Sequence, residues 1–230
     1  MGHRAVVVSV VAVAVLAAGA VVGDRVALGV TERRVAEAIA DGVEDVSGEP
    51  DVDIAGFPFL TQLAAGSFDD LTVTADGATL DGVPLEEVQV RAGDVSTAEP
   101  YTAGTAELTG TLTTANLTEL VAEYTGLGVV ELAVEEGLVI ATTSVLGVDV
   151  VAGLLPRAAG RAIEADLERL DVAGSRVEVG ELPQRLIDRL DALSIPVDGL
   201  PEGVELTDVT VTADGVRLVA VGTDVTVPQG

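Results

Sequence analysis

Hydrophobic and polar positions fall into distinct regimes along this chain. From Ala5 to Val22 every residue is apolar except small Ser9 and Gly19, and Gly23-Asp24-Arg25 then restores polarity. Uniform apolarity with no polar face predicts an export segment rather than a buried amphipathic helix. From Thr31 to Val46 the pattern changes: Val35, Ile39, Val43 and Val46 fall on one helical stripe. That spacing predicts a helix, with Thr31 placed to cap it. Beyond Asp51 the pattern becomes alternating. Val83 to Val95, Thr105 to Thr113, Leu138 to Val151 and Val216 to Val227 are rich in Val and Thr and punctuated by glycine, which predicts strands.

One strand pattern occurs twice. Asp70 to Leu80 (DLTVTADGATL) matches Asp208 to Leu218 (DVTVTADGVRL) at eight of eleven positions. Leu71, Val73 and Ala75 would face one way and Thr72 and Thr74 the other, with Val209, Val211 and Ala213 repeating the arrangement. Asp76-Gly77 and Asp214-Gly215 then supply the backbone freedom of a tight hairpin turn, so both copies read as hairpins. Duplication and simple reuse of good turn chemistry explain the echo equally well.

Two further helices are expected. Asn116 can cap a short one carrying Leu117, Leu120, Val121 and Tyr124; Pro183 suits the first turn of another, whose Leu186, Ile187, Leu190 and Leu193 form an apolar face ending before Pro196. Residues 157 to 172 fit both periods. Ala162, Ile163, Leu167 and Leu170 make a helical stripe, while Ile163, Ala165 and Leu167 alternate. Neighbouring strands, and a possible hairpin to the segment Arg176 to Val179, favour a strand.

Composition removes many chemistries. With no cysteine there is no disulfide, thiolate nucleophile or Cys-ligated metal site. His3 is the only histidine and precedes the apolar run, so the folded body lacks the usual general base near neutral pH and the partner of a Ser-His or Cys-His pair. All cations are arginine, which excludes a Schiff-base lysine. The formal charge of -26 repels a phosphate backbone and so argues against nucleic acid. Because 48% of residues are hydrophobic, the same charge reads as an acidic surface around an aliphatic core, not as disorder. No metal or organic cofactor is expected.

The apolar run divides the chain into two parts: residues 1–23 as signal peptide or membrane anchor, and residues 24–230 as a single domain. Ala18-Gly19-Ala20 offers a cleavage pattern, and the run is close to the length needed to span a bilayer, so both fates stay open. Arg4 on the near side places the body outside the cytoplasm, on the outer face of the membrane or in a periplasm-like envelope space.

The remaining concentration of chemistry lies between Pro50 and Gly77. All three phenylalanines, Phe57, Phe59 and Phe68, fall there, in the run Gly56-Phe57-Pro58-Phe59-Leu60-Thr61-Gln62-Leu63 and just after it. This segment, with Leu200 to Gly215 (LPEGVELTDVTVTADG), resembles the LmeA family of exported actinobacterial phospholipid-binding proteins, and the likeness covers essentially everything after the export segment. The resemblance implies an α+β fold in which a long curved antiparallel sheet wraps around a few amphipathic helices, similar to tubular lipid-binding folds. It further implies binding of phospholipid and support of envelope mannolipid synthesis, and it carries over no catalytic residue.

A groove lined by Val, Leu and Phe suits an acyl chain on physical grounds alone, since each buried methylene contributes about 0.8 kcal/mol. Phe57, Phe59, Leu60, Leu63 and Phe68 are therefore the candidate lipid-binding residues, at the groove or its mouth, with core packing as the competing role for the rings. The expected function is a non-enzymatic phospholipid-binding protein of the cell envelope, with membrane contact through the N-terminal segment. An adhesive or structural envelope protein without a ligand is the alternative. A carboxylate hydrolase has no distinguished Asp/Glu pair to work with, and no calcium loop pattern occurs.

Overall fold

The computed structural model describes residues 2–43, 45–80, 82–125, 130–145, 147–177, 194–197 and 199–226. It is an α+β protein dominated by antiparallel strands arranged as two sheets. The chain opens with α1 (Gly2–Gly42) and then forms β1 (Asp51–Ala55), α2 (Phe59–Ala65), β2 (Ser67–Leu80), β3 (Val83–Ser96) and β4 (Thr102–Thr113). After α3 (Thr114–Thr125) come β5 (Glu131–Glu135), β6 (Leu138–Val145), β7 (Val148–Ala158), β8 (Ala162–Val172) and β9 (Ser175–Val177). The chain closes with β10 (Ser194–Pro196), β11 (Val204–Val211) and β12 (Gly215–Thr226).

The first sheet has the order β1-β2-β3-β4-β12-β11, and the second the order β10-β8-β7-β6-β5 with β9 added beside β8. One long sheet was the expectation; instead β5 to β10, which follow α3, pair among themselves, and β11 and β12 return to the first sheet beside β4. Helix α3 lies between the two, touching β3, β4 and β12 of one and β5 and β10 of the other. The sheets meet along β11, which contacts β7 and β8, and the Leu206 N–H donates to the Gly160 carbonyl at 2.7 Å. Arg161 reinforces this seam by donating to the carbonyls of Leu200, Pro201 and Val204.

Two apolar clusters result. The larger occupies the space between the sheets, where Leu112, Leu117, Leu120, Val139, Ile163, Leu206 and Val216 are buried together. The smaller lies at the β1 end of the first sheet and joins Leu28, Val52, Ile54, Phe59 and Phe68. Helix α1 covers that end. Val35, Ala36 and Ile39 pack on the smaller cluster, and the Glu32 carboxylate accepts from the Ile54 N–H at 3.2 Å. An otherwise open edge strand is thereby shielded, as unpaired edges usually must be.

Several boundaries differ from the sequence expectation. Thr31 caps nothing: α1 runs through it, and its hydroxyl donates to the Ala27 carbonyl one turn back. The expected stripe holds only in part: Val35 and Ile39 lie on α1 against the smaller cluster, whereas the helix ends at Gly42 and Val43 and Val46 follow it, packing on the larger cluster. Asn116 is likewise inside its helix; the Thr113 hydroxyl accepts from the Asn116 N–H, while the Asn116 amide donates to the Pro84 carbonyl. The single strand expected over Leu138–Val151 is β6 and the start of β7, reversed at Gly147 with φ +79°. Residues 157–172 are extended, as favoured, with Arg157 and Ala158 ending β7 and β8 beginning at Ala162; β9 continues the hairpin series. The helix expected after Pro183 lies outside the described residues. Among the described residues no helix is long and apolar enough to cross a membrane.

The two copies of the echo part company at their turns. Asp214-Gly215 closes the β11–β12 hairpin, with the Thr212 N–H donating to the Gly215 carbonyl at 2.8 Å. Asp76-Gly77 does not turn: Gly77 pairs with Glu86 in mid-strand, and β2 reverses only between Leu80 and Val83, where Gly82 has φ +83°. On its other side Gly77 meets Ser47, whose N–H donates to the Gly77 carbonyl at 2.8 Å, so the extended strand here has a partner on both edges.

Candidate functional site: an apolar cavity between the sheets

A cavity of about 150 Å³ opens within the larger cluster. Leu112 and Val216 reach it from the first sheet, Leu117 and Val121 from α3, and Val139, Leu154, Ile163 and Ile195 from the second sheet. Polar groups reach it at Glu164 and Ser194. Glu164 is ion-paired to Arg157, which also contacts Asp166 at 3.3 Å, and both arginine contacts are at the surface. Apolar cavities of this size exclude water and admit small hydrocarbons. Pockets that enclose whole drug-sized ligands start at roughly 300 Å³, so the space fits part of one acyl chain and not an entire phospholipid.

A second cavity of about 300 Å³ lies at the end of α1 between Ser47, Asn116 and the carboxylates of Asp45, Asp76 and Glu86. Its polar, acidic lining opposes both a hydrocarbon chain and an anionic head group. Among the described residues no cluster of carboxylates and histidines could hold a metal ion.

The five residues singled out from the sequence do not line the apolar cavity. Phe59 is 0% exposed and Phe68 8% exposed, and their rings stack at 5.6 Å with 22° between planes. They form the centre of the smaller cluster. Phe57, Leu60 and Leu63 lie instead on the outside, at 57%, 45% and 43% exposure. Helical geometry explains the split: in a short helix Phe59 and Gln62 share the inward face, which leaves Leu60 and Leu63 on the other.

The rest of the motif builds the joint. Gly56 has φ +100°, and a Cβ there would lie 2.3 Å from Gln62 Nε2. Buried Gln62 uses this space to donate to the Ala55 carbonyl at 3.0 Å and to accept from the Asp69 N–H at 2.8 Å, clamping the end of β1 to the start of β2. Thr61 donates to the Pro58 carbonyl, and Gly66 ends α2 at φ +83°. Asp24, 3% exposed, reaches across from α1 to accept the Leu60 N–H at 2.8 Å. Every conspicuous residue of Gly56–Leu63 other than the three exposed apolar ones thus has a packing or hydrogen-bonding task.

The cavity residues escaped sequence reasoning as a set because no segment contributes more than a few. Leu117 and Val121 were legible as a helix stripe, and Ile163 with Ala165 as alternation, yet only the tertiary fold brings them together.

Two antiparallel sheets enclosing an apolar cavity around one helix define a protein suited to hold hydrocarbon. The family model for LmeA-like phospholipid-binding proteins matches residues 22–221, and the chain belongs to that family. Comparisons with curated proteins and with solved structures return no match.

Proposed function

We propose that the chain is a non-enzymatic phospholipid-binding protein of the cell envelope that holds an acyl segment in the cavity between its sheets. The observation that carries this reading is the cavity itself: about 150 Å³, lined by Leu, Val and Ile, in a member of a phospholipid-binding family. Burial of each methylene contributes about 0.8 kcal/mol, so affinity comes from the chain and needs little from the head group. That suits a protein whose charge of -26 offers few cations to a phosphate. Export follows from the apolar run Ala5–Val22 with Arg4 before it, which leaves residues 24–230 outside the cytoplasm, where support of envelope lipid or mannolipid assembly is the corresponding role.

Organic extraction of the purified protein followed by mass spectrometry tests the reading. A copurifying phospholipid is expected, and its absence from protein purified without detergent points to the adhesive alternative. Ala141→Leu and Ala165→Leu narrow the cavity from the second sheet. If each displaces the equivalent of two methylenes, lipid retention should fall roughly tenfold. Unchanged retention in folded variants would remove the cavity as the site.

A further inference from the structure

Phe57, Leu60 and Leu63 have no part in the cavity and none in the aromatic core, yet all three are exposed, on or next to α2. Val22 and Val26 of α1 are exposed as well, at 64% and 61%. The two groups are physically joined. The Leu60 N–H is bonded to Asp24 at 2.8 Å, and the Arg25 guanidinium lies 5.2 Å from the centre of the Phe57 ring. Asp24 comes two residues after the apolar run Ala5–Val22. At a rise of about 1.5 Å per residue, the first turn of α2 is therefore held only about 3 Å past the end of that run.

Charge singles out the same surface. From Ile54 to Phe68 no residue is charged, the longest such stretch after Asp24 in a strongly acidic chain. The cation beside it, Arg25, sits over Phe57, where a lipid phosphate would meet it.

We propose that α2 docks on a lipid bilayer, with Phe57, Leu60 and Leu63 entering the boundary between head groups and acyl chains at the level where the apolar run of α1 ends. A bilayer is the occupant because one apolar medium covers both features at one height, and side chains of an interfacial helix reach about 5–10 Å into it. The proposal rests on the export reading above but not on the cavity as lipid site.

The chain has no tryptophan, so Phe57→Trp introduces a single fluorophore. The full-length variant is reconstituted with phosphatidylcholine vesicles whose acyl chains are dibrominated, beside Val148→Trp, an exposed position on the second sheet. The Phe57→Trp emission should shift to the blue and be quenched by bromine at least several-fold more than that of Val148→Trp. Adding Leu60→Asp and Leu63→Asp should abolish most of that quenching without moving the melting midpoint. Equal quenching at the two reporter positions overturns the proposal, as does a blue shift without bromine quenching, which would mean that another protein copy covers the face. Phospholipid content measured on the purified protein before vesicles are added separates the two readings: quenching without copurified lipid keeps the docking face and removes the cavity, and the reverse removes the docking face alone.

Discussion

The aromatic joint and the inter-sheet cavity are both apolar, but they are built in opposite ways. At the joint, one contiguous segment supplies two stacked rings, a buried glutamine clamp and two glycines in left-handed conformations, and the rings pack into one buried cluster. At the cavity, aliphatic side chains from two sheets and a helix converge and leave room. Dense packing gives dispersion contacts on all sides of each atom, whereas a wall facing a void has partners on one side only. A motif that stands out in sequence therefore marks a rigid joint here, and the space able to take a ligand is assembled from residues that stand out nowhere.

The largest expected effect breaks the joint while sparing its surface. Phe59→Ser removes a ring that is 0% exposed and leaves a polar hydroxyl in its place, so it should cost about 4 kcal/mol or more. Phe57→Ser, at a position 57% exposed, should stay within about 1 kcal/mol. Denaturant midpoints of the two variants, measured side by side, check the contrast. Equal losses would mean that the two rings share one environment and that the division of the motif into core and surface is wrong.

How much was legible follows from the range of each signal. β3 was read within a residue of its ends because alternation along Val83–Val95 is a property of the segment alone. β8 was ambiguous by period and was favoured only through its neighbours, the flanking strands and the hairpin toward Arg176; Ile163 and Leu170 are both buried on it. Thr31 misled because a cap is a local signal and the helix had already begun far upstream. Asp76-Gly77 misled because a second Asp-Gly pair follows at 81–82, and Gly77 is held in the ladder by Glu86 and by Ser47, thirty residues earlier, neither of which its own segment reveals. Phe57, Phe59, Leu60, Leu63 and Phe68 were grouped by sequence, and only the face of α2 separates them. The cavity was the least legible feature, since it exists only where elements far apart in sequence fail to fill the space between them.

A smaller contrast sharpens the comparison at the two echoed glycines. Gly215, next to the cavity residue Val216, has φ +154°, and a Cβ there would lie 2.2 Å from the Leu112 carbonyl oxygen and 2.8 Å from Thr113 Cα. Both are backbone atoms, so Gly215→Val must displace the β4–β12 pairing and should cost about 3 kcal/mol. At Gly77 the nearest obstacle to a Cβ is the Leu85 carbonyl at 3.0 Å, with Ser47 at 3.5 Å and an ordinary strand conformation. Gly77→Val should therefore cost about 1 kcal/mol. Equal costs from thermal melts would restore the reading of two equivalent turns.

The smallest effect should come from the cavity wall. Leu154 faces the void, is only partly buried, and has lost packing partners on that side already. Truncating it enlarges an existing space instead of opening one in a filled core, so Leu154→Ala should cost about 1–2 kcal/mol, below the usual range for a buried leucine. The comparison is cleanest on delipidated protein, because a ligand held only by the folded state adds its binding energy to the apparent stability. On lipid-loaded samples the same substitution should lower the melting temperature further, by the part of the acyl contact that Leu154 makes. A cost of 3 kcal/mol or more on delipidated protein would show that the wall is packed as tightly as the aromatic joint, and the difference between the two regions would disappear.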